Sequence, residues 1–172
     1  MNIILLGYMA SGKSKIGLEL AKTLSFNFKD LDDVIQLEEK KSIKEIFNDS
    51  GELYFREKEK EYLHKVLESC NNTIISLGGG TPCYYNTMDE LVKNPNVKTL
   101  YLNVSIPVLV TRLKNEKLKR PIISHIETDA LLTEFISKHL FERSLYYNQA
   151  EYKVNANGSV NNVVENIVLQ LF

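Results

Sequence analysis

Residues 7–14 constrain this chain more than any other stretch, because they read GYMASGKS and fit the pattern G-x-x-x-x-G-K-[ST]. A short apolar run, residues 2–6, comes before the pattern and predicts a buried strand. After the pattern, apolar residues recur at helical spacing from Ile16 to Leu24. A loop between a strand and a helix turns backbone N–H groups and the positive end of a helix dipole towards an anion. The stretch is therefore predicted to bind phosphate, with a chance glycine-rich turn as the alternative.

Two side chains of this loop have predicted tasks of their own. The ammonium group of Lys13 would reach the β- and γ-phosphates of a nucleotide. The hydroxyl of Ser14 would be a ligand of the Mg²⁺ that accompanies the nucleotide. The loop therefore predicts a phosphate donor, but it leaves hydrolase, switch and kinase open.

The rest of the chain alternates between strand and helix patterns. Five apolar runs predict strands near residues 2–6, 26–29, 73–77, 97–104 and 151–155. A helix with apolar positions 34, 35 and 37 is predicted directly after the acidic run that follows the second strand, and further helical patterns cover about 42–51, 52–69, 84–92, 106–113, 128–148 and 160–171. This alternation predicts an α/β fold with a parallel sheet and helices on both faces. A length of 172 residues suits a single domain.

Ligands of such a sheet bind at the carboxyl ends of its strands. The phosphate loop, the acidic run 30–33, Gly78–Gly80 and the region of Asn155 all follow predicted strands. The four segments are therefore expected to meet in one cleft.

Asp30 and Asp32 come directly after the second predicted strand. Extended geometry at Asp30 could aim both carboxylates into the same cleft. One of them could hold Mg²⁺, and the other could hold an acceptor hydroxyl or take its proton. The alternative is that Asp32 or Asp33 only caps the helix that follows.

Three consecutive glycines, Gly78 to Gly80, follow the third predicted strand. This is more backbone freedom than a plain turn needs, and it predicts a ligand held closely by backbone N–H groups. An ordinary loop is the alternative.

Arginine is scarce in this chain, which has seventeen lysines but only four arginines, Arg56, Arg112, Arg120 and Arg143. Lysine carries the general charge, so each planar guanidinium is a candidate for a two-point grip on carboxylate or phosphate. Arg56 could instead pair with Glu52, Arg112 could complement the end of its helix, and Arg143 could pair with a distant carboxylate. Arg120 lies in the charged segment 114–121, which is predicted to be a mobile loop and could close over a transferring phosphate.

Composition argues against several classes of function. A net charge of −1 gives no basic surface for nucleic acid, and no apolar run approaches the length of a membrane span. Two cysteines, Cys70 and Cys83, make neither a disulfide framework nor a zinc site, so a reducing cytoplasm is expected. His64 and His139 fit solvated helix faces, and the base-reading pattern N-K-x-D of GTPases is absent. A monomer is expected, because no long exposed apolar stripe is present.

In their order and spacing, the marks of this chain resemble the shikimate kinases, which belong to the nucleoside-monophosphate-kinase-like group. The similarity runs nearly end to end and rests on residues 7–14, 28–32 (FKDLD), 55–59 (FREKE), 75–80 (ISLGGG), 120–121 (RP) and 142–147 (ERSLYY). It implies a three-layer α/β sandwich with a five-stranded parallel sheet and the P-loop kinase fold. The single domain, residues 1–172, would carry a shikimate-binding region of about 31–62 and a mobile lid of about 113–125.

The resemblance also implies a role for each candidate residue. The residues that would hold ATP are Gly7, Ala10, Ser11, Gly12, Lys13, Ser14, Lys15, Arg112 against the adenine, Arg120 from the lid, and Asn155. The residues that would hold shikimate are Asp32 at the accepting hydroxyl, Arg56 and Arg143 at the carboxylate, Gly78, Gly79 and Gly80 through the backbone, and Phe47 and Phe55 as walls. Ser14 and Asp30 would organise Mg²⁺, and Lys13, Asp32 and Arg120 would be catalytic.

The expected activity is transfer of the γ-phosphate of ATP to the 3-hydroxyl of shikimate, a step towards chorismate and the aromatic amino acids. One departure from the family is Ala10, where glycine is usual, so the loop geometry is expected to differ slightly. Two alternatives remain. One is another small-molecule kinase of this fold, such as a gluconate kinase, and the other is a nucleotide-dependent switch that has no acceptor.

Overall fold

The structure, a computed structural model, describes residues 1–116 and 121–172. Its centre is a parallel sheet of five strands in the order β2-β3-β1-β4-β5, flanked by helices. The strands are β1 (Asn2–Leu6), β2 (Asn27–Asp30), β3 (Thr73–Ser76), β4 (Val97–Asn103) and β5 (Tyr152–Asn155). The predicted α/β class and all five predicted strands are confirmed.

Eight helices lie in the described part of the chain, together with a short 3₁₀ turn at Thr81–Cys83. They are α1 (Lys13–Leu24), α2 (Leu31–Glu39), α3 (Ile43–Ser69), α4 (Thr87–Lys93), α5 (Ile106–Lys114), α6 (Pro121–Ser124), α7 (Asp129–Tyr147) and α8 (Val160–Leu171). Within these described residues, none of the helices combines the length and apolar character that crossing a bilayer requires.

The register of the sheet brings the candidate site segments to one edge. Leu5 of β1 is paired with Ser76 of β3, and Ser76 is also paired with Asp30 of β2. The phosphate loop, the acidic run and the triple glycine therefore begin side by side, as expected for parallel strands. Every residue of β1 is buried, which explains why this strand has no polar alternation apart from Asn2.

Helix α3 bends at Gly51, whose φ of 81° and ψ of 176° are not helical. The predicted helix before Gly51 and the predicted helix after it are therefore the two arms of α3. Ser42 and Glu45 form a capping box at its start, since each side chain bonds to the backbone N–H of the other. Phe55 and Arg56, which are both buried, lie on the second arm.

One predicted helix is wrong in part. The sequence predicts helix from about Tyr84, but α4 begins at Thr87 because Tyr85 and Asn86 adopt left-handed φ values of 53° and 58°. Lys114, predicted in a loop, ends α5, and α6 lies inside the predicted lid. The predicted mobile loop otherwise falls largely on residues 117–120, which lie outside the described residues.

Candidate active site

The phosphate loop follows β1 and ends where α1 begins. Gly7 has a φ of 154°, and a Cβ there would stand 2.7 Å from Oγ of Ser11 and 3.0 Å from the carbonyl oxygen of Leu102. Gly12, the residue before α1, has a φ of 95°. Both positions require glycine, one for space and one for its left-handed backbone. The pattern is thus found in the strand–loop–helix setting that phosphate binding needs.

Lys13 and Ser14 both have oxygen partners at this loop. Lys13 Nζ donates to the carbonyl oxygens of Gly7 at 2.8 Å and Tyr8 at 3.1 Å. Ser14 Oγ donates to Oδ2 of Asp30 at 2.8 Å. The ammonium group therefore lies folded over the loop, and a hydroxyl and a carboxylate oxygen meet at the start of α1.

Asp30 uses its two carboxylate oxygens for different tasks. Oδ1 accepts a hydrogen bond from the backbone N–H of Asp32 at 3.1 Å and caps α2, while Oδ2 faces Ser14. The sequence left open that Asp32 or Asp33 only caps this helix, and the structure shows that Asp30 is the cap instead. Capping and metal binding do not compete for the same atom.

Serine and aspartate oxygens at this position suit Mg²⁺, which prefers hard oxygen ligands and usually keeps waters and phosphate oxygens in its shell. Across residues 1–116 and 121–172, no cluster of three or more His, Cys, Asp and Glu side chains could hold a metal by itself. Ser14 and Asp30 place two oxygens of the kind that Mg²⁺ binds next to each other at the start of α1.

A cleft of about 700 Å³ opens in front of the loop. It is lined by loop residues from Met9 to Lys15, by Asp30, Asp32, Gly78 and Gly79, and by Arg112, Asn115, Glu116, Ala156 and Gly158 on the far side. The predicted nucleotide residues Ala10, Ser11, Gly12, Lys13, Ser14 and Lys15 all lie along it. Asn155 bonds through Oδ1 to the N–H of Asn157, and its neighbours Ala156 and Gly158 line the cleft in its place.

Arg112 links the two sides of this cleft. Its Nη1 donates to the carbonyl oxygen of Ala10 at 3.1 Å, and its Nη2 donates to the carbonyl oxygen of Ala156 at 3.0 Å. Ala10 has a left-handed φ of 59°, so the departure from glycine places a side chain where glycine is favoured. The arginine thus fixes the loop carbonyl of a conformationally strained residue.

Asp32 is the most perturbed acid of the cleft. Burial raises the pKa of its carboxyl to about 6, with further contributions from the negative charges of Asp30 and Glu59 and an opposing one from Lys13. Its Oδ1 is buried and has no hydrogen-bond partner among the described residues. A buried, unpaired carboxylate oxygen is costly, and it is available to a ligand hydroxyl.

Arg56 lies behind the triple glycine and is 9% exposed. Its Nη1 donates to Oε2 of Glu59 at 2.6 Å, and its Nε and Nη2 donate to Oε1 of Glu52 at 3.4 Å and 3.3 Å. The ring of Tyr84 lies against the guanidinium, with its centroid 4.5 Å from Cζ. The sequence left open an ion pair between Arg56 and Glu52 on the same helix, and that pair is present. Arg56 also pairs with the buried Glu59.

The triple glycine packs too tightly against its neighbours for side chains. A Cβ at Gly78 would stand 2.8 Å from Oε1 of Glu59, and a Cβ at Gly80 would stand 2.7 Å from both Nη atoms of Arg56. At Gly79 the nearest atom would be Nη1 of Arg143, at 3.2 Å. The glycines therefore let the backbone approach both arginines, which an ordinary loop would not need.

Arg143 extends from α7 and lies beside Gly79, which is one of the residues that line the cleft. It forms no ion pair within 4 Å with any carboxylate of the described residues, so the distant pair that the sequence left open is absent there. Its Cζ is 5.8 Å from the ring centroid of Tyr8. Its charge lowers the pKa of the carboxyl of Glu59, although burial raises that pKa overall.

Phe47 and Phe55 form an aromatic pair on the two arms of α3. Their ring centroids are 4.7 Å apart, with the ring planes inclined at 38°. Phe55 is buried, and its ring centroid is 5.3 Å from Cζ of Arg56. The two rings can therefore form an apolar wall next to the arginine.

Several residues of this site were missed by sequence reasoning. Tyr84 stacks on Arg56, Glu59 holds Arg56 and accepts a bond from Thr81, and Tyr147 donates to the carbonyl of Gly79. For Glu59, the signal was its spacing of three residues from Arg56 on one helix face. The tyrosines carry no local signal, because their partners are distant in sequence.

His139 is not on a solvated helix face, so that prediction is wrong. The ring is half-buried, and its Nδ1 lies 3.0 Å from the hydroxyl of the buried Tyr8. Burial and the charge of Arg143 lower the pKa of His139. His64 is exposed and pairs with Glu90, as a solvated face predicts. Arg120, predicted to act from the lid, lies outside the described residues.

Comparison with known proteins relates this geometry to one family. The family model for shikimate kinase matches residues 9–172. A shikimate kinase of Flavobacterium johnsoniae is 45% identical over 167 residues, which cover 96% of this chain and 96% of that protein.

Solved structures lead to the same family. The crystal structure of a shikimate kinase from Bacteroides thetaiotaomicron superimposes with a TM-score of 0.91 at 38% identity, covering 99% of this chain and 98% of that one. A shikimate kinase of Acinetobacter baumannii in complex with shikimate gives a TM-score of 0.83 at 26% identity, covering 99% and 92% of the two chains.

Proposed function

The chain belongs to the shikimate kinase family, and we propose that one cleft with a donor half and an acceptor half carries out the reaction of that family. The enzyme transfers the γ-phosphate of ATP to the 3-hydroxyl of shikimate, giving shikimate 3-phosphate and ADP. This reaction is a step in the pathway towards chorismate and the aromatic amino acids. The reaction is an in-line phosphoryl transfer, in which positioning and charge neutralisation supply most of the catalysis.

The donor half is the phosphate loop with its facing residues. Backbone N–H groups between Gly7 and Lys15 and the start of α1 hold the phosphates. Lys13 leaves the carbonyls of Gly7 and Tyr8 and pairs with the β- and γ-phosphates, since an anion is a better partner for ammonium than a carbonyl. Arg112 lies against the adenine, and the Asn155 region closes that side.

We assign Mg²⁺ to the oxygens of Ser14 and Asp30, which already lie 2.8 Å apart. When bound with ATP, this ion neutralises charge that develops on the phosphate oxygens. The hydrogen bond from the N–H of Asp32 to Oδ1 fixes the position of the Asp30 carboxylate. Its Oδ2 can therefore hold the ion directly or through a water.

The acceptor half begins at Asp32. Its unpaired Oδ1 accepts the hydrogen bond of the shikimate 3-hydroxyl and orients that oxygen for attack on the γ-phosphate. A carboxyl pKa of about 6 leaves most of the group ionised at neutral pH and poised to receive a proton. Lys13, whose charge already acts on Asp32, favours the ionised form.

Arg56 and Arg143 grip the shikimate carboxylate at the opposite end of the acceptor half. They converge on the triple glycine from α3 and α7, and Gly79 and Gly80 pack against their Nη atoms. Phe47 and Phe55 wall the pocket and limit water, and so reduce wasteful hydrolysis of ATP. Arg120, outside the described residues, is assigned to the transferring phosphate on the basis of the family resemblance.

One observation carries this assignment. The unpaired Oδ1 of Asp32 would lie 3.2 Å from a Cβ at Gly78, while Asp32 also lines the cleft of the phosphate loop. The same carboxylate therefore faces the donor and the acceptor. Because Asp32, Arg143 and Arg56 lie beside Gly78, Gly79 and Gly80 in turn, we infer that a small acid with a hydroxyl group and a carboxylate binds between Asp32 and the two arginines.

A coupled assay of ADP release with a panel of acceptors tests this function. We expect ADP release to depend on shikimate, with gluconate and nucleoside monophosphates giving rates near the background hydrolysis of ATP. Release that depends only on another acceptor would overturn the assignment of the acceptor half. Binding of nucleotide without any acceptor-dependent release would instead favour a switch.

We also propose that the enzyme acts as a cytoplasmic monomer with no nucleic-acid or membrane partner. Cys70 and Cys83 are both free thiols, which suits a reducing compartment. A net charge of −1 offers no general attraction to nucleic acid. Light scattering during size-exclusion chromatography measures the oligomeric state directly.

A further inference from the structure

The guanidinium of Arg56 is held by two carboxylates of different character. The side chain of Glu59 is 2% exposed and accepts a bond of 2.6 Å from Nη1. The side chain of Glu52 is 55% exposed, and its contacts with Nε and Nη2 are longer, at 3.4 Å and 3.3 Å. A short buried pair is a fixed part of the protein, whereas a long exposed pair contributes little stability and is easily broken.

Glu52 covers the part of Arg56 that a ligand carboxylate would use. A planar guanidinium holds a carboxylate through two neighbouring donors, either Nε with Nη2 or Nη1 with Nη2. Nη1 already bonds to Glu59, and the backbone of Gly80 packs against both Nη atoms. The more open pair is therefore Nε with Nη2, and a single oxygen of Glu52 accepts from both.

Tyr84 connects Glu52 to Arg56. Its hydroxyl donates to the same Oε1 of Glu52 at 3.1 Å, and its ring centroid lies 4.5 Å from Cζ of Arg56. The ring therefore orients the guanidinium through a cation–π contact, while the hydroxyl holds the competing carboxylate in place. Tyr84 follows the 3₁₀ turn after the triple glycine, so it belongs to the wall of the acceptor half.

We propose that Glu52, held by Tyr84, is an internal competitor for the carboxylate of shikimate, an inference that rests on the proposed role of Arg56. In the observed arrangement Glu52 balances the charge of a largely buried arginine. On binding, the shikimate carboxylate replaces Oε1 of Glu52 at Nε and Nη2, and Glu52 turns to solvent while Tyr84 stays stacked. A neutral acceptor cannot replace that charge, so the exchange selects for an acid.

Glu52→Gln tests this competitor, because glutamine keeps the shape of the side chain and removes its charge. We expect the KM for shikimate to fall about two- to fivefold, the effect of losing an exposed ion pair, with the KM for ATP unchanged. Glu57→Gln is the matched control, since Glu57 is an exposed acid on the same helix. It should leave both KM values unchanged.

A neutral substrate analogue and a second variant separate competition from a change in packing. Glu52→Gln should lower the KM for shikimate and leave that for its methyl ester unchanged. Tyr84→Phe keeps the ring and removes the hydroxyl that holds Glu52, so it should lower the KM for shikimate by a smaller factor. Because that hydroxyl acts through Glu52, the double variant should match Glu52→Gln alone.

A KM for shikimate that stays constant or rises in Glu52→Gln would overturn the competitor role. Arg56→Ala distinguishes this failure from failure of the proposed function. If Arg56→Ala raises the KM for shikimate while Glu52→Gln does not lower it, only the competitor is wrong. If Arg56→Ala leaves the KM for shikimate unchanged, Arg56 does not bind the shikimate carboxylate, and the competitor role of Glu52 is wrong as well.

Discussion

The backbone of Gly79 lies so close to Arg143 that a Cβ added at Gly79 would stand 3.2 Å from Nη1 of the guanidinium. The same Cβ would stand 3.6 Å from the carbonyl oxygen of Gly7, and the carbonyl of Gly79 accepts a hydrogen bond from Tyr147. Gly79 therefore lies between the phosphate loop and the helix that carries the acceptor arginine. The two halves of the cleft meet at this backbone.

Gly79→Ala is expected to weaken shikimate binding selectively. The new Cβ must push the guanidinium of Arg143 by a few tenths of an ångström, which misaligns its grip on the carboxylate. We expect the KM for shikimate to rise by roughly fivefold, corresponding to about 1 kcal/mol, and the KM for ATP to change less than twofold. Steady-state kinetics with each substrate varied measure both. An equal rise in both KM values would indicate general damage to the cleft.

Asp32→Asn is expected to remove activity and increase stability above neutral pH. The folded state raises the pKa of Asp32 from 3.8 to about 6, so between these values the folded protein binds more protons than the unfolded chain. Stability therefore falls as pH rises through this window, and the penalty is complete above about pH 7. Removing the charge should add on the order of 1–3 kcal/mol to the free energy of unfolding at pH 8.

The pH dependence of unfolding checks this prediction. The gain in Asp32→Asn should shrink below pH 6, be small near pH 4 and disappear as the pH falls below 3.8. Asp33→Asn, which removes the adjacent exposed charge, should change stability by less than about 0.5 kcal/mol at either pH. A gain of the same size at pH 4 and pH 8 would show that the pKa of Asp32 is not its cause.

Ala10→Gly is expected to stabilise the unliganded protein slightly. Ala10 has a φ of 59°, where a Cβ costs about 1–2 kcal/mol, and the greater freedom of glycine in the unfolded chain offsets part of the gain. We expect the free energy of unfolding to rise by up to ~1 kcal/mol. Ala21→Gly, within α1, is the control and should lower it by at least ~1 kcal/mol. Equal losses in both variants would contradict the strain assigned to Ala10.

Local patterns were enough to predict the sheet and the meeting of three candidate segments at one of its edges. Residues 7–14, the acidic run and the triple glycine each follow a strand, and the rule for parallel sheets brings strand ends together without knowledge of side-chain packing. The α/β class, the strands and an interruption of the helical pattern near Gly51 could therefore be predicted from periodicity and local residue types, although the sequence indicated two helices where the structure has one bent helix.

Contacts between distant side chains could not be predicted in this way. The pairing of Tyr8 with His139 and the bond from Tyr147 to Gly79 depend on how α7 packs against the loops. Periodicity gives the face of a helix but not which residue of another element it meets. The alternative that Asp32 or Asp33 caps α2 named the wrong acid for a related reason, because only geometry decides which carboxylate reaches the backbone N–H of Asp32.

The most direct test of the two-part cleft is calorimetric titration of shikimate and of ADP into wild-type protein and Arg143→Ala. We predict that the Kd for shikimate rises at least ~30-fold, since truncating one partner of a buried charge pair costs ~2–5 kcal/mol, while the Kd for ADP stays within twofold. Lys138→Ala, an exposed cation on the same helix, should match wild type. An unchanged Kd for shikimate in Arg143→Ala would contradict the acceptor site proposed here.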